Sequence, residues 1–287
     1  MISIALFPCS FIDGATLVGE LSMQLGLMVY TDGLLLDDIV QKHGGSVERM
    51  KEVLFGRKPP ADRATLEKER MVNHLRRHLV ARLRQEQGRT LFYGRLASLF
   101  TPALSSVFRV LVIDSEEARM VRAMKQEGCT AGQARRMISR HDSDVSLWTD
   151  YLHGRMAYDP VLYDAVIAYN ERDVFTVTND VIAGYIQREG VKTQETITDE
   201  LRNQAVSLEV ERALLEDGFQ AKVKVGNGRV HLQVSSSSYH FSWLSKALAK
   251  RALTVSGVEQ VTISNDAGIL VCPEESRQDW LPGHAYA

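Results

Sequence analysis

The chain has 287 residues, 45% of them apolar, with 34 basic and 36 acidic side chains and a formal charge of −2. That length and apolar share argue against a disordered chain and allow two compact domains, while the near-neutral balance removes any global attraction to nucleic acid or acidic lipid, leaving only a local patch to supply one. Three cysteines, Cys9, Cys129 and Cys272, are odd in number and far apart, which argues against a disulfide framework or a Cys-x-x-Cys metal site and predicts a reducing, cytoplasmic setting.

The opening "MISIALFPCS" is apolar but has no positively charged start, and its run is too short for a signal or membrane helix, so Ile2 to Phe7 reads as a buried strand. The stretch "PCSFIDGAT" follows, then an apolar-periodic helix from Ala15 to Leu25 stopped by Gly26, and a short strand from Leu27 to Tyr30. Between Ala61 and Gln87 runs a long charged helix with the apolar stripe Leu66, Val72, Leu75, Leu79, Val80 and Leu83, stopped by Gly88. Its many arginines read as a solvated face, with a phosphate or nucleic-acid contact through Arg70 to Arg84 as the alternative. His74 and His78 stand four residues apart, but Leu75 occupies the place of the metal motif's glutamate and Arg76 and Arg77 repel a cation, so no metal is expected there.

Strands are predicted at Thr90 to Tyr93, Phe108 to Ile113 and Ala165 to Tyr169, with helices in the gaps; Gly128 reads as a helix stop and Thr130-x-x-Gln133 as a capping box. This alternation predicts a parallel sheet flanked by helices over residues 1 to 187. The polar "REGVKTQET", residues 188 to 196, reads as a linker. Beyond it come a helix from Ile197 to Glu216, two alternating strands around Gly226-Asn227-Gly228, a helix from Phe241 to Leu253 and a strand from Gln260 to Ser264, an αββαβ order within 197 to 275, followed by a tail at 276 to 287. The Asn-Gly pair predicts a hairpin, because both residues tolerate the positive φ that such turns need.

The first strand-to-helix turn is the place of a phosphate loop. Cys9-x-x-x-x-Gly14-Ala15-Thr16 matches the end of the pattern G-x-x-x-x-G-K-[ST] and lacks its lysine. Such a loop works because backbone N–H groups and a helix N-terminus point at the anion while the lysine neutralises the outer phosphates. Losing one charge-assisted hydrogen bond removes roughly 1.5–3 kcal/mol of binding. Asp13 adds a repulsion of roughly 4 kcal/mol against a phosphate charge about 4 Å away at an effective dielectric of about 20.

Three stretches in order carry a resemblance. "LFYGRLA", the run "FRVLVIDSEEARMVRAMKQEGCTAGQARRMISRHD" and "DPVLYDAVIA" resemble, respectively, the strand and turn, the R-x-x-R helix with its G-x-[ST]-x-x-x-A lid segment, and the D-x-x-x-YD-x-V-I-N run of cytidylate-kinase-like P-loop nucleoside monophosphate kinases. This resemblance implies a P-loop kinase-like α/β fold, ATP and Mg²⁺ as cofactors and a pyrimidine nucleotide as ligand. Carried onto matching positions, it implies nucleotide-binding roles for Gly14, Thr16, Asp32 and Arg95, with Thr16 also offering a hydroxyl to the metal. Val145 stands where the family has an arginine three residues after the lid aspartate, here Asp142; Arg119, Arg122 and Arg140 are the candidate catalytic substitutes, with Arg135 and Arg136 nearby. Residues 197 to 266 are similar to a BON domain, a small α+β module, although Val234 stands where that family has a glycine; this implies assembly or binding of a protein partner.

The expectation is a pseudokinase, a nucleotide-sensing or scaffold domain fused to an assembly module. An active CMP or dCMP kinase with a rebuilt donor site, and an anionic-surface or nucleic-acid binder, are the alternatives.

Overall fold

The run Ser3 to Pro8 is apolar without alternation, as a strand must be when helices cover both of its faces, and it becomes the central strand β1 (Ser3–Pro8) of the first sheet. The computed structural model describes residues 2–56, 62–85, 89–169, 172–191, 193–235, 241–265 and 270–271. In chain order β1 is followed by α1 (Gly14–Leu25), β2 (Met28–Thr31), α2 (Asp32–His43), α3 (Val47–Phe55), α4 (Asp62–Gln85), β3 (Thr90–Tyr93), β4 (Val107–Ile113), α5 (Glu116–Glu127), α6 (Ala131–His153), β5 (Ala165–Ala168) and α7 (Val174–Glu189). Then come α8 (Gln194–Glu216), β6 (Lys222–Gly226), β7 (Arg229–Val234), α9 (Phe241–Leu253), β8 (Gln260–Asn265) and β9 (Leu270–Val271).

The chain divides into two units. The first comprises Met1–Arg57 and Arg82–Thr198, the second Lys58–Ala81 and Asp199–Ala287, so the boundary falls inside the single helix α4. The Gly88 stop, Lys192 of the polar stretch, Cys272 and the tail at 276–287 lie outside the described residues.

In the first unit five strands run parallel in the order β2-β3-β1-β4-β5. From β1 the chain goes to the edge strand β2, returns to β3 beside β1, and then crosses to β4 and β5 on the other side, so the connections change direction next to β1 and the crevice at the carboxyl end of β1 is the place where open α/β sheets bind ligands. The helices end as their sequences dictate: Gly26 and Gly128 close α1 and α5 in left-handed conformation, and the Thr130–Gln133 capping box opens α6. The resemblance-bearing run around Asp164 does structural work: its carboxylate takes the Arg109 guanidinium in two hydrogen bonds of 3.0 Å and the Arg109 N–H in a third, joining β4 to the start of β5.

In the second unit four strands order as β6-β7-β8-β9. The hairpin between β6 and β7 turns at Asn227 and Gly228, at φ 49° and 75°; β8 lies parallel to β7 after the α9 crossover, and β9 pairs antiparallel with β8. Val230, Leu232, Val234 and Ile263 of the sheet pack with Val210 and Leu214 of α8 and Leu248, Ala249 and Ala252 of α9 on one face. The α4 segment up to Ala81 joins this unit by polar anchors on α8: Asn73 donates to the Leu208 carbonyl and the Glu211 carboxylate, Arg70 donates twice to the Leu215 carbonyl at the end of α8, and Arg77 pairs with Glu209. Arg82, on the first unit's share of α4, lies 4.0 Å above the Tyr30 ring and 3.9 Å from Asp38. Arg70, Arg77 and Arg82 are thus held by internal contacts, and the solvated face expected of this helix is in part a packed one.

Candidate functional site

The loops beyond β1, β3 and β4 converge on the crevice. Asp13 ends the first loop as the N-cap of α1, and its Oδ1 accepts the Thr16 N–H at 3.3 Å. The helix N-terminus, where a phosphate would sit, therefore already carries a carboxylate. Ala15, in the lysine position, and Thr16 are exposed. Phe11 takes a left-handed conformation, φ 59°, where the phosphate-loop pattern favours small residues. Gly14 is buried, and a Cβ there would lie 2.0 Å from the Tyr93 hydroxyl, so the turn of β3 presses directly on the loop.

Two arginines from α5 hold the loop from the other side. Arg119 is 5% exposed and donates to the Ser10 carbonyl at 3.1 Å, to the Ser10 hydroxyl at 2.5 Å and in bidentate fashion to Asp142 at 2.7 and 3.0 Å. Arg122 donates to the Phe11 carbonyl and to Asp114, with its guanidinium over the Tyr169 ring. Burial works against charge on Asp142, but the neighbouring His141 ring and hydrogen bonds from Arg119 and Tyr158 hold its carboxyl well below the usual carboxylate range. Burial pushes the Cys9 thiol, at the foot of the loop, up to about 11, so it stays protonated and unreactive near neutral pH. Arg140 is exposed on α6, and Arg135 pairs with Glu116. Of the three candidate catalytic arginines, two brace the loop through its carbonyls.

Val145 fills the lid's arginine position as a core residue, 1% exposed and packed with Phe7, Leu111 and Ala157. Asp142 and Val145 are accordingly part of a continuous 23-residue helix anchored in the core.

Across the crevice, Asp32 and Arg95 come together. The Asp32 carboxylate, at the start of α2, accepts the Arg95 N–H at 2.8 Å and the Leu96 N–H at 2.9 Å, the first amides of a 3₁₀ turn at Arg95–Leu99. Gly94 has φ 126°, and a Cβ there would lie 2.6 Å from that carboxylate, so this close turn requires glycine. Burial pushes Asp32 up to about 6, although both amides and the charges of Arg95 and Lys51 oppose the shift. The Arg95 guanidinium lies 4.7 Å above the Phe55 ring; burial lowers its pKa, while Asp144, Asp32 and Tyr158 act on it as stabilising neighbours. Sequence reasoning placed Asp32 and Arg95 as ligand contacts, and the geometry makes Asp32 the residue that positions the Arg95 turn. It missed Ser10, Tyr93, Asp144 and Tyr158, which no spacing rule marks. The role of Asp13 as a cap was within reach, since aspartate before a helix is a favoured N-cap.

A triphosphate with Mg²⁺ does not fit the donor side as it stands: its cationic anchor is a methyl group, the Thr16 amide is engaged by Asp13, and the nearest arginines face carbonyls and carboxylates.

The model of the cytidylate kinase-like family matches residues 13–171, more than half of the chain. Among solved structures, an uncharacterized protein from Eubacterium ventriosum ATCC 27560 is 20% identical, with a TM-score of 0.49, over 65% of this chain and 98% of that one. Dephospho-CoA kinase from Campylobacter jejuni is 13% identical, with a TM-score of 0.36, over 65% of this chain and 97% of that one. No curated protein matches the chain.

Proposed function

The chain belongs to the cytidylate kinase-like family, and from that premise we propose that its first unit is a pseudokinase, a nucleotide-sensing or scaffolding domain whose donor phosphate seat is filled by its own Asp13. The single observation that carries this reading is the Asp13 carboxylate on the Thr16 N–H beside an alanine in the lysine position. The fixing of the Arg95 turn by Asp32 and Gly94 supports a reading in which the acceptor side is retained and the Arg95 guanidinium meets the phosphate of a pyrimidine monophosphate. The helix–hairpin–helix–strand order of the second unit supports its reading as a BON-like assembly or partner-binding module.

Thermal unfolding of the full chain with CMP, dCMP and ATP–Mg²⁺ added separately tests the proposal. A ligand at about a hundred times its Kd stabilises by roughly 2.7 kcal/mol, a shift of several degrees. CMP or dCMP is expected to give such a shift, Arg95→Ala to abolish it, and ATP–Mg²⁺ to give none. Combining Asp13→Gly with Ala15→Lys is expected to create a shift with ATP–Mg²⁺. Phosphate transfer from ATP to CMP by the natural chain at about one per second, an ordinary kinase rate, would overturn the pseudokinase reading in favour of an active kinase.

A further inference from the structure

The second unit covers one face of its sheet with α8 and α9 and leaves the opposite face without a helix among the described residues. Strand alternation and register define that opposite face. Lys222 lies beside Gln233, Lys224 beside His231, and Gly226 beside Arg229; on β8, Ser264, Thr262 and Gln260 continue the three rows. No acidic side chain occupies any of these nine positions; Glu259 lies at the turn end, against Gly228.

Charge is segregated here in a chain whose net charge is −2. Arg70, Arg77, Arg212 and Arg251 of the same unit all bind carbonyls or carboxylates. Lys222, Lys224 and Arg229 make no ion pair among the described residues. Alternate residues of a strand stand about 6.8 Å apart, so these three cations advance along the face in regular steps, suited to a chain with a repeating negative charge. Beside them the His231 ring is fixed by both nitrogens, with Nδ1 3.0 Å from the Thr262 hydroxyl and Nε2 3.0 Å from the Ser264 hydroxyl. A planar ring held in this way can stack with a base.

We propose that this face binds single-stranded nucleic acid, with Lys222, Lys224 and Arg229 tracking the phosphates and His231 supporting a base. The inference concerns the second unit alone and stands apart from the fate of the kinase-like site. The stepped cations with flanking amide and hydroxyl groups at these nine positions favour a linear polyanion over a lipid surface, because the described register brings a single apolar residue, Leu270 of β9 beside Ser264, to this face.

The test is fluorescence anisotropy of the full chain with labelled oligo(dT) and oligo(U), alongside sedimentation with vesicles rich in phosphatidylglycerol. Three phosphate contacts predict a log–log salt slope of about −2, hence roughly twentyfold weaker binding at about 200 mM than at about 50 mM salt. Lys222→Glu with Lys224→Glu and Arg229→Glu is expected to weaken binding at least tenfold, as is, to a lesser degree, the gentler pair Lys222→Gln with Lys224→Gln, with unfolding temperatures checked for each. His231→Ala is expected to weaken binding about tenfold and leave the salt slope unchanged, because stacking releases no counterions. Arg202→Glu, on the exposed side of α8 where Arg202 meets Asp199, should change nothing. No oligonucleotide binding at low salt, binding to vesicles alone, binding that survives the triple reversal, or an equal loss in Arg202→Glu would each overturn the proposal.

Discussion

Asp32 shows how much one carboxylate can organise. It holds two amides of the Arg95 turn and fills the space a Cβ on Gly94 would need. Gly94→Ala is therefore expected to cost at least about 2 kcal/mol in urea denaturation, combining an unfavourable φ with a steric conflict against the carboxylate, and to remove any stabilisation by CMP. Titration gives a second check. Unfolded, the Asp32 carboxyl has a pKa near ~3.9; folded, it titrates at about 6, facing Arg95, Lys51 and Tyr93. Between those values the folded state holds the extra proton, so this group's contribution makes stability fall as pH rises from about 4 to about 6, then stay level. A carboxyl-carbon NMR titration should show an Asp32 midpoint near 6, and Asp32→Asn should flatten that part of the stability profile; a midpoint at an ordinary aspartate value would contradict it. Asp142 runs the other way. Its depressed pKa gives a contribution complete above the unfolded value and lost only as pH falls well below it. Arg119→Ala would strand this carboxylate and is expected to cost about 3 kcal/mol, near the low end for a broken buried pair because Asp142 keeps some solvent.

At the scale of elements, the kinase-like pattern was readable wherever periodicity and caps speak for themselves. The strand at Thr90–Tyr93 and the helix at Phe241–Leu253 have the bounds that their apolar patterns imply, and the Asn227-Gly228 hairpin and Thr130–Gln133 capping box form as their residues demand. Gln194, Glu195 and Thr196, read as linker, instead open α8, since a polar stretch without glycine or proline has no local reason to stay out of a helix. The bracing of the loop by Arg119 and Arg122 was illegible, because contacts across more than a hundred residues leave no trace in local spacing. Val145 yields a prediction at this scale. Val145→Arg, which restores the family's lid arginine, would place a charge among Phe7, Leu111 and Ala157, and is expected to destabilise the chain by roughly 3 kcal/mol or more with no gain in phosphate transfer. Urea denaturation beside a coupled kinase assay decides it.

At the scale of the whole chain, the sequence suggests two consecutive domains, and the first sheet and the small second sheet are both present in that order. What periodicity could not disclose is where α4 belongs, since an apolar stripe says that a face is buried and not by what. Asn73, 2% exposed, answers through its bonds to Leu208 and Glu211 on α8. Asn73→Ala leaves that carbonyl and a carboxyl already raised by burial without their donor, and is expected to cost roughly 1–3 kcal/mol, read as earlier hydrogen exchange in α8, β6 and β7 than in β1 and β4. The membership of Lys58–Ala81 in the second unit also bears on dissection of the chain. A truncation after Thr198 would take away the α8 carbonyls and carboxylates held by Arg70, Asn73 and Arg77, so the shortened chain is expected to lose helix in α4, read by circular dichroism against the full chain.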